Sequence, residues 1–214
     1  MMRFTDRTEA GRRLGEELAV HDLDDALVLG LPRGGVPVAA EVAGVLDAPL
    51  DVLVVRKIGA PRNPEFAVGA IGEGGAEFID TSILDRMGLS RDDLQGTIAA
   101  ERDELRRRVE AYRGDAAPLD VAGRTVVVVD DGMATGASAR VAVQVLRELA
   151  PARTVLAVPV ASTAAVDRLD EVVDDVVVLS APRDFLAVGA HYDDFGQTSD
   201  REVTELLSSA RRPQ

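Results

Sequence analysis

The chain has 214 residues, 24 basic and 37 acidic, with a net charge of −13 and 46% hydrophobic side chains. That length suits one domain with a small appendage and is too short for two full domains. The lack of cysteine excludes disulfides, thiolate nucleophiles and cysteine-based metal sites, and the acid excess excludes the broad basic footprint that a nucleic-acid partner requires.

Thr5 to Val20 reads as an amphipathic helix with a polar start at Thr5 and Asp6, and with Leu14 and Leu18 on one face. Met1 to Glu9 is charged early and lacks the apolar stretch of a secretory signal, so a cytoplasmic protein is expected. Ala26 to Leu31 is a short apolar strand running into Pro32-Arg33-Gly34-Gly35. Val36 to Leu46 then reads as a helix, with Pro37 tolerated in the first turn. Asp51 to Val55 is a second buried strand. A Gly/Pro-rich stretch, Gly59 to Pro64, leads to two short strand-like pieces, Ala67–Ile71 and Glu77–Ile79.

Ser90 to Tyr112 is highly charged and sets Leu94, Ile98, Leu105, Val109 and Tyr112 on one helical stripe. It predicts a surface helix laid on the core, or one that pairs with a second subunit in a homodimer. After the loop Gly114–Pro118 comes the strongest strand, Thr125–Val129, bounded by Arg124 and Asp130. A helix over Gly136–Leu149, a strand Thr154–Val158, a helix opened by Ser162 and a strand Asp175–Leu179 complete the alternation. No apolar run reaches the roughly 18 residues of a membrane span, and no membrane partner is expected. Continuous apolar strands between helices imply an α/β fold, a parallel sheet with helices on both faces. A single domain is expected, with its core over residues 22–180, an inserted helix, and a small cap from residues 1–21 and 181–214.

In open α/β sheets ligands bind at the carboxyl ends of the strands. The most distinctive such end is Val126-Val127-Val128-Val129-Asp130-Asp131-Gly132-Met133-Ala134-Thr135-Gly136-Ala137-Ser138. Here a buried strand ends in two carboxylates, and a loop of small residues then opens a helix. Amides at that helix start, with the Thr135 and Ser138 hydroxyls, make a cradle for a phosphate. The carboxylates would repel that phosphate but suit vicinal hydroxyls beside it, so a sugar phosphate satisfies both halves. Other phosphate loops do not fit: there is no Gly-Lys-Ser/Thr and no Gly-x-Gly-x-x-Gly after a strand.

Through all of residues 126–138 this segment resembles the phosphoribosyl pyrophosphate signature of type I phosphoribosyltransferases. The resemblance extends over roughly Ala26 to Leu179, with Ser90–Tyr112 as a helical segment that compact members lack. It implies that Asp130 and Asp131 hold ribose hydroxyls and that Ala134, Thr135, Gly136, Ala137 and Ser138 hold the 5-phosphate. It implies that Leu31-Pro32-Arg33-Gly34-Gly35 binds pyrophosphate through backbone amides and Arg33, with a cis peptide between Pro32 and Arg33. It further implies that Arg56-Lys57 begins a mobile loop running to Glu65, three cations in ten residues, which closes over the pyrophosphate. Arg33, Lys57, Asp130 and Asp131 are thus the expected catalytic residues, with Gly34, Gly35 and Arg56 among the binding residues. Magnesium would arrive on the substrate diphosphate.

In the 6-oxopurine enzymes an aspartate precedes the loop threonine, and here that position is Ala134, which removes an aspartate as proton carrier there. Arg-Lys-Ile-Gly-Ala-Pro at 56–61 and Phe-Leu-Ala-Val-Gly-x-x-Tyr-x-Asp-Phe near the C-terminus are similar to an uncharacterised bacterial and archaeal group of the family. The implied activity is transfer of ribose 5-phosphate to a nitrogenous acceptor; the alternative is a non-catalytic sensor of phosphoribosyl pyrophosphate or nucleotides. Phe185, Tyr192 and Phe195 cluster in one short segment, and Phe185 and Tyr192 are candidates for stacking on the acceptor. His191 and His21 read as surface residues.

Of the 24 basic residues only Lys57 is lysine, and an acid-rich, lysine-poor chain fits high intracellular salt. A GC-rich genome accounts for the arginines but less well for 37 acids. If the acid excess is an adaptation to salt, the melting temperature climbs with KCl up to molar concentration; a flat or falling curve would leave genome composition as the explanation.

Overall fold

The computed structural model describes residues 2–61, 63–114 and 117–210, and of Glu65 the backbone alone. Its centre is a five-stranded parallel sheet built from β1 (Leu27–Gly30), β2 (Leu50–Val52), β6 (Thr125–Val129), β7 (Arg153–Val160) and β8 (Asp175–Ser180). The spatial order is β2-β1-β6-β7-β8. A second, antiparallel sheet of three strands holds β3 (Val55–Ala60), β4 (Asn63–Gly72) and β5 (Glu77–Ile79).

Both faces of the parallel sheet are covered, which is why its central strands lack polar alternation. Val28, Val127, Val129, Val155 and Ala157 point into one core with Leu14 and Leu18 of α1 (Arg7–Leu18) and Val38 and Val42 of α2 (Gly35–Leu46). Leu27, Leu29, Val126, Val128 and Leu156 point the other way, against Ala142 and Leu146 of α5 (Ala137–Glu148) and Leu169 of α6 (Thr163–Asp170). The period-2 alternation of strand side chains is divided between two hydrophobic layers. The expected α/β architecture, with helices on both faces, is the one observed.

The charged segment forms a short 3₁₀ turn at Asp92–Leu94 and then α4 (Gln95–Arg113), with Leu94, Ile98, Leu105 and Tyr112 buried as the stripe predicts. A short helix, α3 (Thr81–Met87), precedes it; Asp80 caps its start and Gly88 its end, at φ +64°. Its seven residues are too few to show a clear helical period in the sequence. The last helix, α7 (Asp200–Ala210), buries Val203 and Leu207 in the core shared with α2 and α4. The two chain ends meet where Phe4 bridges Tyr192 in parallel fashion.

One expectation is corrected here. Arg56 and Lys57 do not lie in a loop: they are part of β3, paired with Ile71 and Ala70 of β4. Gly59 and Pro64 suggested a loop, yet the bulges at Ile58–Ala60 absorb them within the hairpin. Gly59 is required there because a Cβ would collide with the Pro64 backbone.

The hairpin is fastened to α4 and the sheet by a buried ion cluster. Arg113, 5% exposed, pairs with Glu73 and with Asp51 (3.3 Å), and donates to Val52 O (2.9 Å). Removing one partner of a buried pair leaves the other charge uncompensated. Arg113→Met should therefore lower stability by about 3–5 kcal/mol in chemical denaturation, and adding Glu73→Leu should recover much of that loss.

Candidate active site

Going outward from β1, the chain reaches β2 on one side and β6 on the other. This reversal opens a crevice at the carboxyl ends of β1 and β6, where ligands bind in such sheets. The loops that leave those two ends are Leu31–Gly34 and Asp130–Gly136, so the topology brings together two of the three segments singled out by sequence. The third, at Arg56 and Lys57, reaches the crevice from the antiparallel hairpin. Leu31, Pro32, Arg56, Lys57, Asp130 and Ser138 all line one cleft of about 400 Å³. Arg62 lies outside the described residues.

The Pro32–Arg33 peptide is cis, as the resemblance implied. The following glycines are dictated by close approach: a Cβ on Gly34 would collide with Asp131 Oδ2, and one on Gly35 with Val129 O. Gly35 N–H donates to Leu31 O (3.0 Å), which engages one of the three amides of the turn. The Arg33 side chain is half-exposed, with Nη1 4.0 Å from Asp200.

The second loop is tied to the end of β7. Met133 N–H donates to Val160 O (2.9 Å), and Ser162 Oγ–H donates to Ala134 O (2.7 Å). Gly136 has φ +71°, a left-handed conformation that an L side chain resists, and a Cβ there would meet Leu169. From this turn α5 begins with no side-chain cap at Gly136, and its first amide, of Ala137, makes only a long bond to the Thr135 hydroxyl (3.4 Å). Ala134, Thr135, Ala137 and Ser138 are exposed there. A helix start of this kind attracts anions.

Asp130 and Asp131 stand beside this cradle. Burial, and then the charge of Asp131, pushes the Asp130 carboxyl up to about 8. Burial also raises Asp131, opposed by Arg7, whose Nε and Nη2 donate to Oδ2 at 2.9 and 2.8 Å. Both side chains of this pair are largely enclosed. Arg7 in turn donates to Gly196 O (2.8 Å) and lies 4.0 Å from the centroid of the Phe195 ring. No sequence signal pointed to Arg7, which lies 124 residues from Asp131.

The aromatic residues near the C-terminus are packing elements. Tyr192 is buried, its ring 5.5 Å from Phe4 and 5.0 Å from Phe195, and its hydroxyl donates to Asp131 O (2.6 Å). Phe185 stacks on His191 at 5.5 Å. The structure thus uses these rings to hold the loop that braces Asp131. His191, expected at the surface, is fully buried, with Nδ1 3.3 Å from Met2 O. Met2 and Phe185 lie against it, and local sequence carries no mark of that.

Two further residues of the cleft, Glu101 and Arg108, come from α4. Arg56 Nε donates to Glu101 (2.6 Å), so this arginine links the hairpin to the helix. A larger hollow of about 760 Å³ lies between residues 71–76 and α4, but it touches neither carboxyl-edge loop. The chemistry-bearing residues favour the smaller cleft. Among the described residues, no group of three or more His, Asp or Glu side chains is arranged to hold a metal ion, and no helix is long and apolar enough to cross a membrane.

Because the folded protein holds the Asp130 proton more tightly than the unfolded chain does, Asp130 stabilises the fold at low pH. That contribution is lost as pH rises from about 4, the ordinary carboxylate range, towards about 8. Asp130→Asn has no such proton to lose. Its melting temperature should rise relative to the parent across this window, by the equivalent of a few kcal/mol at most, and the gap should close below pH 4. A gap independent of pH would show that Asp130 ionises normally.

Comparison with known proteins agrees with this geometry. Residues 8–194 match the profile of the phosphoribosyl transferase domain. Two proteins of Mycobacterium tuberculosis, provisionally named phosphoribosyl transferases, are 46% identical over 212 residues; the match takes in 99% of this chain and 48% of theirs. The chain therefore spans about half the length of these relatives. The bifunctional protein PyrR of Roseiflexus is 33% identical over 143 residues, which cover 66% of this chain and 70% of PyrR. The crystal structure of TT1426 from Thermus thermophilus superposes with a TM-score of 0.90 at 50% identity, covering 97% of this chain and 99% of that one. The chain belongs to the phosphoribosyl transferase family.

Proposed function

We propose that this chain transfers the ribose 5-phosphate of phosphoribosyl pyrophosphate to a nitrogenous acceptor, with release of pyrophosphate. One observation carries this reading: two adjacent carboxylates and a helix start without a side-chain cap share one loop, at the edge of a cleft that Arg56, Lys57 and Arg108 also line. In this reading the amides and hydroxyls of Thr135 to Ser138 hold the 5-phosphate, while Asp130 and Asp131 accept from the ribose hydroxyls. Arg33, Lys57 and the amides of Arg33 and Gly34 meet the diphosphate.

The bond from the ribose anomeric carbon to the diphosphate oxygen breaks, and its electron pair leaves with pyrophosphate. The acceptor nitrogen supplies the pair for the new bond and loses a proton. Positive charge grows on the ribose as the old bond stretches, and the neighbouring carboxylates favour that charge. Arg7 opposes the effect of burial on Asp131 and holds its carboxyl in place for this role. Magnesium bound to the diphosphate would meet Asp130, which lines the cleft and would face the ion once its proton is lost. When bound, the ion supplies neutralisation of the leaving group.

Lys57 is exposed on β3 within the cleft. The leaving diphosphate gains charge as its bond breaks, so a cation beside it binds the transition state more strongly than the bound substrate. Lys57→Ala should cut turnover by roughly 10²–10³ with a smaller change in substrate affinity, and Lys57→Arg should recover part of the loss. The assay is pyrophosphate release from phosphoribosyl pyrophosphate and magnesium, screened over nitrogenous bases and small amines. Release with no acceptor in the panel, or loss of affinity equal to loss of turnover, would overturn the transferase reading or the role of Lys57 respectively.

A further inference from the structure

The helix α4 lies outside the loops that the family resemblance assigns to substrate, yet it forms one wall of the cleft. Glu101 and Arg108 are seven residues apart, two helical turns, so they project from the same side. Glu101 neutralises Arg56 at 2.6 Å, with both side chains about one-quarter exposed. Arg108 is different. Its Nε donates to Glu104 Oε1 at 2.7 Å, and Arg107 donates to the same carboxylate through Nε and Nη2 at 2.8 Å each. One carboxylate thus holds two guanidinium groups, which draw its pKa down to about 2, Arg107 first and Arg108 second.

Arg108 also lines a second hollow, of about 230 Å³, on the far side of Pro32. Arg33 and Arg107 line it as well, together with Tyr112 and Asp200. Asp200 accepts from the Tyr112 hydroxyl at 2.6 Å and stands 4.0 Å from Arg33. In a chain of net charge −13, three guanidinium groups therefore converge beside the cis peptide, and only Arg108 faces both hollows. Surface pairs such as Arg107–Glu104 contribute little and are readily exchanged for a better anion. A phosphoryl oxygen pair matches the planar fork of arginine.

We propose that α4 supplies a phosphoryl subsite, in which Arg108, with Arg33 and Arg107 beside it, binds the outer phosphate of the diphosphate and Glu104 occupies the arginines until that phosphate arrives. The subsite rests on the reading of the cleft as a diphosphate site. It extends the site past Pro32 to a helix that compact members of the family lack, and it makes Arg108 a direct ligand of the substrate.

The charges predict opposite signs for two substitutions on one helix. With magnesium present, Arg108→Ala should weaken binding of inorganic pyrophosphate and of phosphoribosyl pyrophosphate by roughly 10- to 100-fold in calorimetry. Glu104→Gln frees the two arginines from their intramolecular partner and should tighten both by about 2- to 5-fold. Arg108→Lys should fall between Ala and the parent. Arg106→Ala, an exposed position on the same helix, is the control for bulk charge and should leave both affinities unchanged. If Glu104→Gln weakens binding as Arg108→Ala does, the cluster only supports the helix and the subsite is refuted. If the parent binds and neither substitution changes affinity, the subsite is refuted while the diphosphate reading stands. If the parent protein binds neither compound, the diphosphate reading fails and the subsite with it.

Discussion

Asp130 and Asp131 leave β6 side by side, and the Arg7 guanidinium is bonded to the second of them. Two adjacent enclosed carboxylates cannot both ionise cheaply, because each loses water and each repels the other. The structure resolves this unequally. Asp131 receives a guanidinium, and Asp130, without that contact, is displaced to about 8. Burial therefore disfavours the charged form at both positions, and the Arg7 contact offsets this at Asp131. Much of the chain outside the sheet is arranged around the Arg7 contact. Phe195 covers the guanidinium, Gly196 accepts from it, and Tyr192 holds the backbone of Asp131. The N-terminal helix and the C-terminal segment are in this sense parts of one clamp on a single carboxylate.

The same crowding explains the glycines on either side of it. Gly34 and Gly35 have no room for a Cβ because the Asp131 carboxylate and the Val129–Asp130 backbone press against them. Gly132 is hemmed in by Val188 Cγ1 and Val160, so the C-terminal segment also closes onto the acid loop. Positive φ is needed at Gly136 alone among these. Elsewhere the demand is for close approach, which lets the turn after β1 and the turn after β6 face each other across one crevice. A methyl group at Gly34 would push the turn after β1 away from the acid it adjoins.

The sheet and the acid loop were legible because they are written locally. Four valines followed by two acids and a run of small residues specify a buried strand, a turn and a helix start without reference to the rest of the chain. The hairpin was less legible, since Gly59, Pro61 and Pro64 carry loop signals that only the bulged pairing of β3 with β4 overrides. Arg7, Phe195 and the burial of His191 were illegible for another reason. Each depends on contacts between the two ends of the chain, and no periodicity or spacing encodes such a meeting. Tyr192 shows the same limit: an aromatic residue near a site suggests stacking on a ligand, whereas its hydroxyl and ring are engaged by Asp131, Phe4 and Phe195.

The α4 stripe was read correctly as apolar packing, but its charged residues carried more information than a solvated surface requires. The arginines of the ion pairs around it sort by burial. Glu77 receives Arg91 and Arg102 at exposed positions, where salt weakens the attraction. Arg113 is enclosed with Glu73 and Asp51, where salt has little access. Between these extremes lie Arg56–Glu101 and Arg108–Glu104, partly exposed pairs at the edge of the cleft. In a strongly acidic protein, arginines near a ligand site are drawn to carboxylates of the chain, and an incoming phosphate must compete with them. Such competition would moderate the affinity of an anion at these positions. An acidic chain can thus offer an anion site without a basic surface, because the cations are exposed to an anion only where a weak internal partner can be displaced.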